Sequence, residues 1–126
     1  MNPSKGQKGD SAVLLAASKL IEVGLTVLKP ISESLPFDLA LYCDEVFYRI
    51  QVKRAQTNAY GSFEIPFRSI IPTLDGARIT RYTDAHADFV AGVVMQTGDI
   101  YFLPIQETMK MRRSITVGRL EGAKKV

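Results

Sequence analysis

Apolar residues near the start of the chain recur at three- and four-residue steps, the spacing that one buried helix face requires. The residues that follow this spacing are Ala12, Leu15, Ala16, Leu20 and Val23. Asp10 precedes them and is the predicted N-cap, because its side chain can accept from free N–H groups of a first turn. Gly24 stands where a helix ends. We therefore predict a helix over residues 11–23 and a flexible N-terminus over residues 1–9.

Three short segments with strand character follow, at residues 25–31, 37–42 and 46–55. Residues 32–36 separate the first two as a turn, and Asp44-Glu45 connects the last two tightly. In the third segment the side chains alternate between two faces, with Phe47, Arg49, Gln51 and Lys53 on one and Tyr48, Ile50 and Val52 on the other. A helix followed by three strands, the last two forming a hairpin, predicts an α/β fold.

The second half of the chain has weaker patterns. Its predicted elements are a strand at 62–67, a loop at 69–86, a strand at 89–95 that turns at 97–99 and returns antiparallel at 100–103, a short helix at 105–111 and a strand at 114–118. With 126 residues in total, we expect residues 1–126 to form a single domain.

Composition and charge narrow the picture further. No apolar run approaches the roughly 20 residues of a membrane span, and the single cysteine, Cys43, suits a reducing, cytoplasmic setting. The C-terminal segment, residues 105–126, has six basic residues against two acidic ones. Such an excess attracts phosphate backbones, although a solubilising tail explains the same charges equally well.

Asp38 is the first candidate for chemistry, because it lies in an apolar strand between Phe37 and Leu39. A carboxylate there is costly to bury unless it is paired or binds a metal. The hairpin can bring Gln51, the Val52 carbonyl and Lys53 beside it. The oxygens of Asp38, Gln51 and Val52 could hold Mg²⁺ for phosphodiester hydrolysis, with Lys53 orienting or deprotonating a water. The alternative from spacing alone is a structural ion pair between Asp38 and Lys53 in a plain structural domain.

Several sequence motifs occur in an order that resembles the PD-(D/E)XK nuclease superfamily, in particular its group I intron-associated homing endonucleases of cyanobacterial type. These are Gly9-Asp10-Ser11-Ala12-Val13, a Lys29-Pro30 pair, Pro36-Phe37-Asp38-Leu39, Ile50-Gln51-Val52-Lys53 and the stretch YTDAHADFVAGVV…GDIYFLPI. The similarity covers about residues 8–105. It implies a restriction-endonuclease-like core, built as a helix, a three-stranded β-meander and further strands.

The resemblance also implies roles for residues at matching positions. Asp38 matches the metal-binding aspartate, Gln51 the Glu or Asp that this branch also replaces by Gln, and Lys53 the catalytic lysine, with Mg²⁺ or Mn²⁺ as cofactor. Val13 stands where the helix carries a metal-linked Glu, and valine cannot ligate a cation. We expect activity to be impaired, whether Val13 is a disarming mutation or a natural loss. Asp10 could stand in for that Glu, but the N-cap role is the better expectation.

Double-stranded DNA is the expected partner, bound by a homodimer or a dimer of dimers, because cutting both strands needs two active sites. Phosphate contacts are predicted for Lys5, Lys8, Arg54, Arg112 and Arg113, and base contacts for Gln56, Asn58, Arg78, Arg81 and Arg119. Each of these is otherwise an ordinary surface residue. Beside homing-type cleavage, two further functions stay open: a Holliday-junction-resolvase-like nuclease and a non-catalytic DNA-binding protein, which Val13 favours.

Overall fold

A mixed sheet of six strands forms the centre of the structure, a computed structural model that describes residues 1–32, 34–81, 83–110, 114–116 and 124–125. The helices are α1 (Lys5–Glu22) and α2 (Ile105–Met109). The strands are β1 (Thr26–Leu28), β2 (Leu39–Cys43), β3 (Val46–Arg54), β4 (Gln56–Thr57), β5 (Phe63–Pro66), β6 (Arg68–Thr73), β7 (Gly76–Arg81), β8 (Phe89–Val94), β9 (Asp99–Pro104), β10 (Ser114–Thr116) and β11 (Lys124–Lys125).

Helix α1 begins six residues earlier than the sequence pattern predicts. Ser4 is its N-cap: the Ser4 hydroxyl accepts from the Gln7 N–H at 3.2 Å, and the Gln7 side chain accepts from the Ser4 N–H at 2.9 Å. This capping box satisfies two N–H groups that a helix start leaves free. The prediction of Asp10 as N-cap is therefore wrong, and residues 5–9, predicted as flexible, are helical. Gly24, with φ of +91°, follows the helix end as predicted.

The predicted meander is confirmed, since β1, β2 and β3 pair antiparallel in chain order. Strand β3 then pairs in parallel with β8, which forms the predicted antiparallel hairpin with β9. The full order is β1-β2-β3-β8-β9-β11. Because a parallel pair needs a long connection, residues 55–88 leave the sheet between β3 and β8. The chain thus adopts the α/β architecture expected from the sequence, a helix followed by a three-stranded meander and further strands.

Hydrophobic cores form on both faces of this sheet. On one face α1 packs its buried residues against the sheet, and this core contains Ala12, Ala16, Leu20, Leu39, Leu41, Ile50, Val52, Ala91, Val93 and Ile100. On the other face β5 and α2 cover a second core of Ala55, Ile65, Phe67, Val90, Val94, Leu103 and Ile105. Ile50 and Val52 share one face of β3, as the alternation predicts, and the structure shows that this face is buried in the core with α1.

The predicted loop at 69–86 is wrong over most of its length. Strands β6 and β7 pair antiparallel from Arg68↔Arg81 to Thr73↔Gly76, as a separate two-stranded ribbon. Pro72 favoured the loop prediction, but proline is accepted in edge strands, and both strands of a ribbon are edges. The helix at 105–109 and strand at 114–116 fall within their predicted ranges. Within the described part of the chain, no helix is long and apolar enough to cross a membrane.

Gly92→Ala is expected to lower the stability of the fold. A Cβ at Gly92 would overlap the buried side chain of Ile65, lying 2.6 Å from its Cγ1 atom. Because cores tolerate overpacking poorly, the free energy of unfolding should fall by about 1–3 kcal/mol. Denaturant titration measures this. Gly9→Ala is the matched control, since its Cβ would meet no atom within 4 Å and alanine stabilises a helix interior. Equal stability of the Gly92→Ala variant and the native protein would contradict this packing.

Candidate active site

Asp38 is fixed to strand β3 by two backbone contacts. Its N–H donates to the carbonyl oxygen of Ile50 at 2.9 Å, and its Oδ2 atom accepts from the Val52 N–H at 2.8 Å. The first contact lies next to the Leu39↔Ile50 pair that ends the β2–β3 pairing, while the second orients the carboxylate along the Gln51-Val52-Lys53 segment. The sequence prediction that the hairpin brings Asp38 to this segment is confirmed by these contacts.

Burial and four neighbouring groups have opposing effects on the pKa of the Asp38 carboxyl. Burial raises the pKa of the Asp38 carboxyl above its ordinary value, and the nearby carboxylate of Asp10 adds to this increase. The Val52 N–H, Lys53 and Lys29 act in the opposite direction and lower the pKa of Asp38, without outweighing the burial. The strongest favourable contact of the charged carboxylate is thus a backbone N–H, ahead of either lysine.

A cleft of about 320 Å³ opens beside Asp38, between the start of α1 and the segment after β1. Its lining residues are Gly6, Asp10, Val13, Lys29, Pro30, Ser32, Leu35, Phe37 and Asp38. Three of the motifs singled out in the sequence meet here: the Gly-Asp motif of the helix, the Lys-Pro pair and the segment with Asp38. Val13, half-buried, lies on this cleft wall and also packs on the core.

Gln51 and Lys53 are half-buried on β3, on either side of the buried Val52. The side-chain amide of Gln51 lies against the Val52 carbonyl oxygen, with 3.5 Å between Nε2 and O. Val52 thus contacts both predicted ligands: its N–H donates to Asp38, and its carbonyl oxygen accepts from the Gln51 amide. Alternation places Gln51 and Lys53 on one face of the strand.

The donor set here fits a hard divalent cation. The Asp38 carboxylate has a second oxygen, Oδ1, and the amide of Gln51, the carbonyl of Val52 and the carboxylate of Asp10 are also oxygen donors, the type that Mg²⁺ and Mn²⁺ prefer. Over the described residues, no three His, Cys, Asp or Glu side chains cluster as a metal site. The set thus has few carboxylates, because Val13 supplies no donor.

An arginine–aspartate contact anchors β3 just before the Gln51-Val52-Lys53 segment. The Arg49 guanidinium binds both carboxylate oxygens of Asp88 at 3.2 Å, and the Arg49 N–H donates to Asp88 Oδ2 at 2.7 Å. Arg49 also donates to the carbonyl oxygens of Ala85 and Asp84. The hydrogen bond from Arg49 lowers the pKa of the Asp88 carboxyl. This contact fixes where β8 begins to pair with β3, and hence the position of the site's strand.

The structure separates the predicted DNA-contacting residues into groups. Lys5 and Lys8 are exposed on the first turns of α1, on either side of the cleft-lining Gly6. Arg78 and Arg81 lie on β7 of the separate ribbon. Arg112, Arg113 and Arg119 fall outside the described residues.

The other two predicted base contacts, with Arg54, lie near the end of β3. Arg54 is half-buried, and Gln56 is exposed on β4. The Asn58 side chain is occupied within its own loop: Oδ1 accepts from the N–H groups of Tyr60 and Ser62, and Nδ2 donates to Glu64. The structure thus gives Asn58 a loop-stabilising role, and its base contact stays a prediction.

Lys29 is a cleft residue that the sequence reasoning did not select. It lies on the cleft wall with Asp38, and its charge lowers the pKa of that carboxyl. Its signal in the sequence is the Lys29-Pro30 pair, one of the motifs of the resemblance, which by itself implies no chemical role. Asp10, for which the sequence favours a helix-cap role, lines the same cleft.

The Asp38 carboxylate is held against strand β3, which carries Gln51 and Lys53, and it lines the cleft beside α1. The sequence model of the PD-(D/E)XK endonuclease family matches residues 3–125, nearly the whole chain. The chain therefore belongs to the PD-(D/E)XK endonuclease family. This family implies a DNA substrate, and its nucleases typically use divalent metal ions.

A solved structure has the same fold. The bacterial homing endonuclease I-Ssp6803I superposes with a TM-score of 0.84 and 22% sequence identity, over 94% of this chain and 80% of that one. The resemblance drawn from the sequence is thus confirmed, for the family by the match over residues 3–125 and for the homing branch in its fold. A comparison with curated protein sequences found no match.

Proposed function

We propose that this protein is a metal-dependent, site-specific endonuclease for double-stranded DNA, of homing type, whose cleavage is weakened by Val13. The observation that carries the proposal is the contact between Asp38 and the Val52 N–H, at 2.8 Å in the wall of a cleft. A buried carboxylate with a raised pKa, next to a lysine, costs stability in a plain structural domain and serves a purpose at a site for cations.

Each residue of the site has a role in this proposal. Asp38 Oδ1, Gln51 and the Val52 carbonyl would hold Mg²⁺ or Mn²⁺, with Oδ2 of Asp38 held by its backbone donor. The cation would supply positive charge to the scissile phosphate and favour ionisation of a water. Lys53 would orient the attacking water and accept its proton or offset the charge that develops on phosphate oxygens. Lys29 would add a second positive charge at the cleft wall.

Val13 supports a second candidate, a DNA-binding protein that no longer cuts. Val13 lies on the cleft wall, where a metal-linked Glu is expected from the resemblance, and its side chain has no donor atom. The fold does not need that Glu, because Val13 packs on the α1 core. Binding with little or no cleavage is the behaviour that separates this candidate from the first.

DNA contact would come from two regions that lie apart in the sequence. The ribbon β6–β7 is the type of element that enters a major groove, and it carries Arg78 and Arg81 on β7. Lys5 and Lys8 at the start of α1 would contact phosphates beside the cleft. Arg54, Gln56, Arg112, Arg113 and Arg119 stay proposed contacts of the same kinds.

Assembly and location follow from the proposed reaction. Cutting both strands requires two active sites, so we expect a homodimer or a dimer of dimers on a roughly palindromic target. A role on DNA and a single cysteine, Cys43, that has no disulfide partner in this chain suit the reducing cytoplasm.

The test is selection of bound and cleaved duplexes from a randomised library, with Mn²⁺ and with EDTA. We expect one enriched sequence, bound in both conditions and cut slowly with Mn²⁺. The Arg78→Ala/Arg81→Ala double variant should bind this sequence at least about tenfold more weakly, because each lost base contact costs about 1–3 kcal/mol.

Three controls define the outcome. A four-way junction of unrelated sequence detects a resolvase-like nuclease, which would prefer it to the selected duplex. Binding of the selected duplex without any cleavage supports the non-catalytic candidate. Absence of binding to every duplex and junction would contradict both proposals and leave the fold as the full extent of the similarity.

A further inference from the structure

The side chain of Asp10 has no part in starting helix α1, because Ser4 and Gln7 form the N-terminal capping box. Asp10 lies in the second turn, exposed and on the wall of the cleft. An aspartate inside a helix is less favourable than alanine there, since its side chain competes for backbone hydrogen bonds. The helix itself thus gives no reason for an aspartate at this position.

Asp10 and Val13 line the same cleft because they are three residues apart on one helix. Their Cα atoms are separated by about 4.5 Å along the helix axis, from a rise of 1.5 Å per residue. The cleft therefore receives one carboxylate from α1, a single turn nearer the helix start than Val13. The Asp10 charge reaches the carboxyl of Asp38 and raises its pKa, which agrees with a shared site.

Apart from Asp10 and Asp38, no described acidic residue lines the cleft. Several have other partners: Asp88 binds Arg49, Asp99 binds Lys125 and Glu64 accepts from Asn58. Glu22 ends α1, twelve residues beyond Asp10, and so lies about 18 Å farther along the axis. Of these, none lines the cleft that contains Asp38.

We propose that Asp10 supplies the second carboxylate ligand of the divalent cation, in place of the glutamate that Val13 lacks. This inference rests on the proposed function, since it assigns a further ligand to the same site. The donor set then becomes two carboxylates from α1 and from the residue before β2, with the amide and carbonyl oxygens of Gln51 and Val52. A short, exposed aspartate binds more weakly than a dedicated glutamate, so this chain should hold the cation with low affinity.

Mn²⁺ binding to the full chain without DNA tests the ligand assignment without reference to cleavage. Electron paramagnetic resonance of free Mn²⁺ gives the dissociation constant for the native protein and for each variant. Asp10→Asn should weaken binding at least about tenfold, and Asp38→Asn should abolish it. Glu22→Gln, the control on the same helix, should bind as the native protein does. Circular dichroism of each variant confirms that the fold is kept.

A rescue variant tests whether a carboxylate on this face of α1 restores the Mn²⁺ affinity that Asp10→Asn removes. Asp10→Asn combined with Val13→Glu should regain Mn²⁺ affinity, because the carboxylate returns one turn along the same helix face. Rescue together with the loss in the Asp10→Asn variant supports the proposal.

The outcomes that overturn the inference differ from those that overturn the proposed function. If Asp10→Asn binds as the native protein does while Asp38→Asn does not bind, Asp10 is no ligand and the metal-dependent function stands. If the native protein binds no Mn²⁺ but the Val13→Glu variant does, Asp10 does not replace the glutamate. If neither binds Mn²⁺, the metal dependence of the proposed function fails, and the inference fails with it.

Discussion

Val13→Glu is expected to raise Mn²⁺-dependent cleavage of the selected duplex by about a hundredfold or more. Val13 already lies on the cleft wall that contains Asp38, so the new side chain projects toward the proposed cation from the helix that lines it. A third carboxylate would increase both occupancy of the site and the fixed orientation of the cation. The gain should appear in the rate at saturating DNA, with little change in DNA affinity.

Val13→Glu is expected to lower the stability of the fold, because Val13 is half-buried and packs on the α1 core. A small decrease in melting temperature without metal, and recovery of part of it with Mn²⁺, is expected since ligands that bind only the folded state stabilise it. Val13→Gln is the matched control: it has nearly the same shape as Glu without the charge, and its neutral amide oxygen should bind the cation far more weakly than the carboxylate of Glu.

A result in which Val13→Glu and Val13→Gln cut equally slowly would argue against a metal ligand at this position. Cleavage by the native protein at a rate equal to the Val13→Glu rate would show that the site is complete without it. That second result would favour Asp10 as a fully effective ligand. Both comparisons need the same DNA affinity in each variant, measured in EDTA.

The sequence predicted those elements whose local hydrophobic and turn patterns agree with their tertiary packing. Alternation along β3 indicated that Ile50 and Val52 share one face, and the turn at 97–99 indicated the β8–β9 hairpin. The parallel pairing of β3 with β8 was not predicted, because register between distant strands depends on tertiary contacts such as the one between Arg49 and Asp88.

The sequence pattern misplaced the N-cap of α1 and did not indicate Asp10 and Lys29 as site residues, and both errors have a physical cause. The apolar period that predicts the helix begins at Ala12. The earlier turns of α1 carry Gly6 and Gly9 and present little apolar surface, so the period does not extend to them. The cap was therefore assigned to Asp10 in place of Ser4, although the Ser4…Gln7 spacing of a capping box was visible. That error also removed Asp10 from the predicted site. Lys29 and Asp38 line the same cleft because separate segments of the chain pack together there. Local sequence patterns do not predict that packing.

Asp38→Asn is expected to abolish cleavage without lowering stability, a combination that a structural ion pair does not predict. Asparagine keeps an oxygen that can accept from the Val52 N–H, now 2.8 Å from Oδ2, and removes the charge that binds the cation. In the Val13→Glu background, which should cut measurably, the rate should fall on the order of a thousandfold. In EDTA the melting temperature should stay the same or rise by a few degrees.

The expected stability follows from the direction of the pKa shift. Burial raises the pKa of Asp38 in the folded protein, so the folded protein retains a proton on this carboxyl at pH values where the unfolded chain has lost it. Stability therefore decreases as pH rises through this window. The destabilisation is absent below the ordinary aspartate pKa and complete above the folded-state pKa. The advantage of asparagine should consequently be present at neutral pH and disappear in acid.

Asp44→Asn is the control with the same chemical change at an exposed turn, where Asp44 has a φ of +50° that asparagine also adopts readily. It should alter neither cleavage nor the pH dependence of stability. A melting temperature several degrees lower for Asp38→Asn alone would mean that the charge stabilises the fold, as expected of an ion pair with Lys53. Because a buried carboxylate at a cation site should lower stability and one in a structural pair should raise it, the sign of this shift decides between the two roles.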